Sequence, residues 1–402
     1  MEEKKTWDLI SIASIPLVMT LGNSMLIPVL PTMEKEMNIS AFQVSMIITV
    51  YSVVAIILIP IAGFLSDQYG RKRIIIPSLL IAAVGGAISG WAAWQLPNPY
   101  ATILIGRFLQ GVGAAGAAPI VMPLVGDIFT KEEDVSNGLG VVETSNTFGK
   151  VLSPILGAAL ATLIWYAPFL AFPVFCLVSV LLMTFLVKTP KKKEKPPLFK
   201  DFVISVKKIF HNEGRWLYTI FAIGCICMFV IFGVLFYLST ILEEEHAIKG
   251  VKKGIILAIP LAALCLASYV TGKLIGKEKN VMKWTTFAGL ILLTVCNVWV
   301  AFSKDIYVLL SAMFASGIGI GVALPSMDAL VTEGIGKEER GTISSIYSSM
   351  RFVGIALAPP IIAILMKASH PLLFAVLAGV SLIGVVLTVF FIRPKEKTYA
   401  ES

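Results

Sequence analysis

The sequence predicts an all-α membrane protein with twelve transmembrane helices in two pseudo-symmetric halves of six, and three observations carry that reading. The 402 residues are 57% hydrophobic and only 14% charged, a balance too apolar for a soluble domain of this length. A hydrocarbon core of roughly 30 Å needs about 20 apolar residues per helix, and a window of that length finds twelve runs. A shift of 206 residues lays landmarks of the first half on the second.

The runs fall at 9–31, 44–66, 74–94, 101–126, 137–163, 167–187, 216–242, 254–275, 284–302, 306–331, 341–366 and 372–392. The first follows Lys4 and Lys5 and ends in Pro28 and Pro31 without a small-residue cleavage site, so it reads as a span and not as a signal peptide. Between the second and third lies a charged turn, GFLSDQYGRKR at 63–73. Asp67 ends one run, Gly70 reverses the chain, and Arg71, Lys72 and Arg73 place three cations where the next run begins. The fourth run carries Arg107 and Gln110 on one face and the stretch GVGAAGAAP at 111–119. On the fifth, Glu143, Asn146 and Lys150 follow three- and four-residue spacing and form one polar stripe. Beside it Gly149, Ser153 and Gly157 recur every four residues, the spacing that lets membrane helices approach closely.

After the sixth run the chain divides. Residues 1–187 read as one six-helix bundle, 188–215 as a basic linker and 216–402 as the second bundle. The linker holds nine cations and three acids, a net +6 of the chain's +8. Its stretch LFKDFVISVKKIF sets Leu198, Phe199, Phe202, Val203, Val206, Ile209 and Phe210 at helical spacing, the pattern of a helix lying on the inner leaflet. A calmodulin-like partner site is the other reading of such a segment. In the second half, the tenth run ends near Asp328 and Glu333, which the sequence suggests form a surface pair with Lys337 or Arg340. The eleventh carries Tyr347 and, one turn on, Arg351.

The repeat lays Gly111, Gly113 and Pro119 on Gly317, Gly319 and Pro325. It also lays Lys131, Glu132 and Glu133 on Lys337, Glu338 and Glu339, and Pro154 on Pro360. Six spans plus six, joined by a linker, is the architecture of a transporter whose halves rock about a midplane site. Of the 33 Lys and Arg, 24 fall on the termini, the linker and alternate loops, six on the opposite loops and three inside runs. That bias predicts both termini in the cytoplasm.

Several classes are excluded. Each Gly-Lys pair is followed by Val, Leu or Glu, so no phosphate-binding loop supports ATP drive. The three histidines lie outside the apolar runs and the five cysteines, Cys176, Cys225, Cys227, Cys265 and Cys296, lie within them in no metal-spaced cluster, so neither metal, cofactor nor disulfide framework is expected. The chain reads as a non-enzyme with no nucleic-acid partner, a monomer whose partners are lipid, protons and small amphipathic substrates.

An ionisable group in a bilayer core costs a few kcal/mol or more, so it is expected to line the interior and to act there. Arg107, Glu143, Lys150 and Arg351 are the deep charges. Glu143, the lone deep acid of the first half, reads as a proton carrier, as a fixed partner of Lys150 or Arg107, or as a substrate contact. Asn23, Met25, Tyr51, Gln110, Met122, Asn146, Phe232, Phe236, Tyr237, Tyr347 and Arg351 are candidates for a cavity wall.

At these residues the sequence resembles the major facilitator superfamily and, within it, the twelve-span drug:proton antiporters of bacteria. Gly63, Leu65, Asp67, Gly70, Arg71 and Lys72 match its loop motif between spans two and three. Leu104, Arg107, Gln110, Gly111, Gly113 and Ala114 match its fourth-span motif, and Gly149, Pro154 and Gly157 its fifth-span antiporter motif, with Ser153 where glycine is usual. Leu21, Gly22, Pro28 and Pro31 resemble the first-span pattern of the twelve-span exporters. The resemblance implies proton-coupled multidrug efflux by alternating access in a bacterial cell membrane, with Arg107 tuning the proton-binding acid and Asp67, Gly70, Arg71, Gly149, Pro154 and Gly157 serving the gate. Two departures stand out: the second-half turn TGKLIGKEKN at 271–280 lacks the aspartate, and the first span has Asn23 and no carboxylate. Other readings are a dedicated exporter of one native product, such as a siderophore or a glycolipid, and a non-transporting receptor or scaffold on the same fold.

The turn generates a test. If Asp67 biases a two-state equilibrium, Asp67→Asn lowers turnover and raises cysteine accessibility from the cytoplasmic side while substrate affinity holds; a tenfold population shift needs about 1.4 kcal/mol, the size of one charge-assisted contact. Unchanged accessibility with lost affinity would place Asp67 in the binding site instead.

Overall fold

A computed structural model describes residues 3–129, 132–187, 199–276, 278–335 and 340–392. Twelve long helical segments follow one another: α1 Thr6–Glu36, α2 Ala41–Tyr69, α3 Arg71–Gln95, α4 Tyr100–Ile128, α5 Glu132–Ala161, α6 Ala167–Phe185, α7 Phe199–Glu244, α8 Gly250–Leu274, α9 Lys279–Ala301, α10 Ile306–Gly334, α11 Arg340–Ala368 and α12 His370–Phe391. Eleven are apolar enough along their described length to count as spans on hydropathy. The twelfth is α5, whose polar stripe lowers its hydropathy. Its 30 residues still make a rod of about 45 Å, longer than the hydrocarbon core.

Local chemistry sets the ends. Ser40 and Gln43 form a reciprocal capping box that starts α2, the Asp305 carboxylate caps α10, and Ser369 caps α12. Gly70 alone separates α2 from α3, at φ 99°, a backbone that side-chain-bearing residues rarely adopt. Short 3-10 turns at Ile27–Val29 and Ala118–Ile120, each holding a proline, interrupt α1 and α4.

The repeat seen in sequence is a repeat of packing. In the first half α3 lies against α4 and α6, α2 against α4, and α1 against α5. In the second, α9 lies against α10 and α12, α8 against α10, and α7 against α11. The matched glycines do matched work: Gly111 faces the Tyr51 carbonyl of α2 and Gly113 the Ser78 carbonyl of α3, while Gly317 faces the Pro260 carbonyl of α8 and Gly319 the Gly289 carbonyl of α9. A Cβ at any of the four would overlap backbone, so the crossings close only on glycine. The repeat's second landmark, Lys131 with Lys337, Glu338 and Glu339, lies outside the described residues, as do linker residues 188–198.

One boundary differs from the sequence reading. The linker's amphipathic stretch and the seventh span form a single helix from Phe199, because nothing between them breaks a helix except Gly214. The Phe210 ring nevertheless lies 5.1 Å from Tyr218 and 5.8 Å from Phe221. Eleven residues of straight helix rise about 16 Å, so the axis turns sharply between those rings, around Gly214.

The halves meet along two seams, α2 with α11 and α5 with α8. Thr49 Oγ1 donates to the Ala356 carbonyl at 2.8 Å, and Gly254 seats against the Pro154 carbonyl. A third junction closes the end of the bundle opposite the 63–73 turn. There Glu243 of α7 accepts from Lys253 of α8 at 2.9 Å and from Lys35 of α1 at 3.3 Å, with Thr32 Oγ1 at 3.4 Å, and Ser239 Oγ donates to the Ile27 carbonyl at 2.8 Å. The Glu243 and Lys253 side chains are 3% and 2% exposed, so each depends on the other; both belong to the second half. Lys35 and Thr32 reach them from the first half.

Lys35 is 52% exposed, so its pair with Glu243 supplies about 0.5–1 kcal/mol and its loss shifts an open–closed ratio by about two- to fivefold. Spin labels at exposed Asn38 and His246 report it: the double variant Lys35→Ala, Thr32→Val should populate longer distances. An unchanged distance distribution would show that this junction does not hold the end shut.

Candidate functional site

The polar stripe expected on α5 forms. Asn146 Nδ2 donates to the Glu143 carboxylate at 3.3 Å while its Oδ1 accepts from Thr20 Oγ1 of α1 at 2.7 Å, so the amide holds the acid and is itself held. A turn further, Lys150 borders a void between the halves, walled by Ser24 of α1, Met228, Ile231, Phe232 and Leu235 of α7, and Leu261 and Leu264 of α8. Pro154 has no N–H, which leaves the Lys150 carbonyl without its helical partner beside that void. The small-residue stripe packs α5 onto α1, as its spacing suggests: Gly149 lies against Leu17 and Thr20, and Gly157 against the Met25 carbonyl. Ser153 turns its hydroxyl onto the Gly149 carbonyl at 2.6 Å.

Around Lys150, within electrostatic reach, lie Glu143, Arg351 of α11, Asp328 of α10 and Cys265 of α8. Asp328, expected near the surface beside Lys337 or Arg340, has these central charges as neighbours too. Helix α10 runs on to Gly334, which puts Asp328 about 9 Å inside its end. Its carboxylate is 3.8 Å from Arg351 Nη1, and although its side chain is 44% exposed, its charged neighbours are Arg351, Glu143 and Lys150, so the space it faces is internal. The side chains of Glu333 and Arg340, and Lys337 itself, lie outside the described set. Sequence reasoning named Asp328 but not its pairing with Arg351, because a hydropathy window ends three residues beyond it; the signal available was an acid inside a run that also had a deep arginine to match on the next helix.

The two deep arginines are opposites. Arg107 is wholly buried and spends its donors on neutral acceptors: Nε on the Ile47 carbonyl at 2.7 Å, Nη1 on the Gly22 carbonyl at 3.0 Å and on Gln110 Oε1, and Nη2 on Asn23 Oδ1 at 2.7 Å. The Tyr51 ring lies 4.5 Å from its guanidinium carbon. It joins α1, α2 and α4, and no carboxylate is among these partners, so the geometry is that of a helix-joining donor and not of a partner to Glu143. Arg351 has Asp328 at 3.8 Å and the Tyr347 ring at 5.7 Å, and among the described residues no hydrogen bond.

These contacts sort the cavity candidates. Phe232 lines the void, Asn146 holds Glu143, and Tyr347 and Arg351 lie with Asp328. Asn23, Gln110 and Tyr51 are taken up by Arg107, and Met25 is a helix-packing residue. The Tyr237 hydroxyl pairs with His370 Nδ1 at 2.7 Å, while His370 Nε2 donates to the Val300 carbonyl at 2.9 Å, a bridge between α7, α12 and α9. At the 63–73 turn Arg71 joins three groups: Asp67 at 2.7 Å, Ser66 Oγ at 2.7 Å and Asp127 of α4 at 3.1 Å. Asp127 was not singled out in the sequence. Lys72 Nζ caps the end of α6 through the Thr184 and Val187 carbonyls.

Known proteins resemble this chain in sequence and in fold. The family model described as Major Facilitator Superfamily matches residues 12–359 and 283–402. The chain is 55% identical over 390 residues to the bacillibactin exporter of Bacillus subtilis (strain 168), covering 97% of each, and 26% identical over 407 residues to multidrug resistance protein 2 of the same organism, covering 99% of this chain and 98% of the relative. The crystal structure of the human organic anion transporter MFSD10 (TETRAN) superposes with a TM-score of 0.75 at 16% identity, over 96% of this chain and 99% of that one. With the repeat, the paired seams and the central charged space all in place, the family match settles membership: the chain is a multi-pass membrane transporter of the Major Facilitator Superfamily.

Proposed function

We propose that this protein is a proton-coupled exporter of one native small product of the siderophore class, working as a monomer in a bacterial cell membrane with both termini in the cytoplasm. The observation that carries the reading is the 55% identity, spread over 97% of both chains, to a bacillibactin exporter. Residues 1–187 and 216–402 are the two rocking bundles, and 188–215, whose helical part runs on into α7, links them. In this account the void beside Lys150 opens alternately to each face as the α2–α11 and α5–α8 seams pivot.

Glu143 carries the proton. It lies on the stripe that leads to the void, its orientation set by Asn146 and Thr20, with Lys150 and Arg351 as changeable electrostatic neighbours. A carboxyl group placed there gains or loses its cationic company as the halves move, and a proton is bound in one state and released in the other. Asp67, Gly70 and Arg71 act at the turn and Gly149, Pro154 and Gly157 at the α1–α5–α8 packing, biasing the equilibrium and not touching cargo.

A second reading, multidrug efflux of small amphipathic compounds, draws on the 26% identity to multidrug resistance protein 2 and on the void's methionine, phenylalanine and leucine wall. Proteoliposomes with an imposed pH gradient and a panel of a siderophore, a glycolipid and lipophilic cations separate the two: the siderophore should move uphill and the cations not. Uphill movement of the cations alone would favour the second reading. Glu143→Gln keeps shape and hydrogen bonding but has no proton to release, so it should abolish gradient-driven export while retaining substrate binding. Export at the wild-type rate in that variant would remove Glu143 from the coupling role.

A further inference from the structure

Many of the hydroxyls on these helices return to a carbonyl of their own helix: Ser11, Ser52, Thr147 and Thr286 each donate to the residue four back. Thr20 does otherwise. Its Oγ1 crosses from α1 to α5 and donates to Asn146 Oδ1 at 2.7 Å, while Asn146 Nδ2 lies 3.3 and 3.4 Å from the two oxygens of Glu143. Chemistry dictates the order of donors along this chain. A carboxylate only accepts, so the amide turns its N–H to Glu143, which leaves its oxygen facing Thr20 and obliges the hydroxyl to donate. Close packing sets the reach: a Cβ at Gly149 would lie 3.3 Å from both the Thr20 Cβ and the Leu17 carbonyl oxygen, so a side chain there would press α1 away.

The same three groups have a second arrangement with as many bonds. A protonated Glu143 is a donor, and the amide, rotated half a turn about its last torsion, presents Oδ1 to the new O–H and Nδ2 to Thr20. A hydroxyl both donates and accepts, so Thr20 Oγ1 takes that N–H and turns its own proton to the Pro16 carbonyl, one turn back on α1. We propose that Thr20 and Asn146 form a reversible hydrogen-bond relay for the Glu143 proton, its polarity reversing at each protonation. The proton forms the O–H bond of Glu143 on arrival from water and returns to water on leaving; Asn146 and Thr20 exchange partners and keep their own protons. Both are positioning residues. Each charge state of Glu143 keeps its amide partner, so neither strands an unmet polar group in the membrane interior. The charges facing Glu143 from other elements are Asp328 of α10 and Arg351 of α11, with Lys150 on α5 itself and the Cys265 thiol of α8 beside them. Those neighbours govern when the proton moves, and the relay lets it move with the number of hydrogen bonds unchanged. The assignment rests on the proton-carrying role given to Glu143 above and deepens it.

Infrared difference spectra of the full-length protein in nanodiscs, stepped through pH, test the relay. The carboxyl band of protonated Glu143 is assigned by its loss in Glu143→Gln, and the Asn146 amide carbonyl band by its loss in Asn146→Leu. The amide band should move to lower frequency with the same pH midpoint at which the carboxyl band appears, because Oδ1 exchanges an alcohol donor for a carboxylic acid. In Glu143→Gln it should stop following pH. Asn146→Leu takes a donor from the charged form, so the carboxyl midpoint should rise by about one pH unit, the size of one hydrogen bond to a charge. Thr20→Val removes one bond from each arrangement, so its midpoint should hold at the wild-type value, and Thr20→Ser should reproduce wild type in every band. A fixed clamp predicts otherwise: an amide band indifferent to pH, and a Thr20→Val midpoint displaced as in Asn146→Leu. Either result would overturn the relay, as would a Glu143 that never shows a protonated band. Coupled bands in a protein whose Glu143→Gln variant exports at the wild-type rate would leave the relay and remove the coupling role; a silent amide band beside export lost in that variant would do the reverse.

Discussion

A charge inside a bilayer must have its hydrogen bonds filled, be paired, or face a space that water and cargo enter, because otherwise it costs several kcal/mol. This chain meets the constraint in all three ways at different depths. Arg107 is filled by two backbone carbonyls and two side-chain amides. Glu243 and Lys253 are paired with each other almost out of reach of water. Glu143, Lys150, Asp328 and Arg351 gather as two acids and two cations around the space between the halves, with Arg351 paired to Asp328 at 3.8 Å.

Packing follows from the same economy of polar groups. With lipid outside, apolar burial does little to draw helices together, so small residues and backbone contact hold each half. Gly111 and Gly113 fix α4 on α2 and α3, Gly317 and Gly319 fix α10 on α8 and α9, and Gly157 brings α5 onto the broken part of α1. The halves are thereby internally close-packed, while between them run two helix seams and one ionic junction. Lys35 is the exposed member of that junction. Parting the halves gives it to water and leaves Glu243 with Lys253, so the end can open without stranding a buried charge.

Much of this was legible before any coordinates. Hydropathy alone gives the spans, since a helix must cross about 30 Å of hydrocarbon, and the 206-residue shift gives the duplicated packing because glycine at a backbone crossing has no substitute. The α5 stripe was legible from spacing. What was not legible depends on partners remote in sequence. Asp328 and Arg351 are 23 residues apart on successive helices, and Glu243 meets Lys35 across 208. The neutral cage of Arg107 was hidden because Asn23, Gly22 and Ile47 declare no charge to match. The linker's division from α7 was misjudged because composition changes there while the helix does not stop.

The central claim is that Arg107, with its hydrogen bonds filled, builds the fold, and that Lys150, at the void between the halves, operates it. Melting temperature and export rate measured together on Arg107→Met and Lys150→Met test it directly. Arg107→Met removes the guanidinium's bonds to the Gly22 and Ile47 carbonyls and to two amides, and should lose on the order of 3 kcal/mol or more of stability, seen as a large fall in melting temperature. Lys150→Met gives up no hydrogen bond, and should melt within a few degrees of wild type while export is lost. The reverse pattern, a destabilised Lys150→Met beside an Arg107→Met that melts normally, would contradict the account.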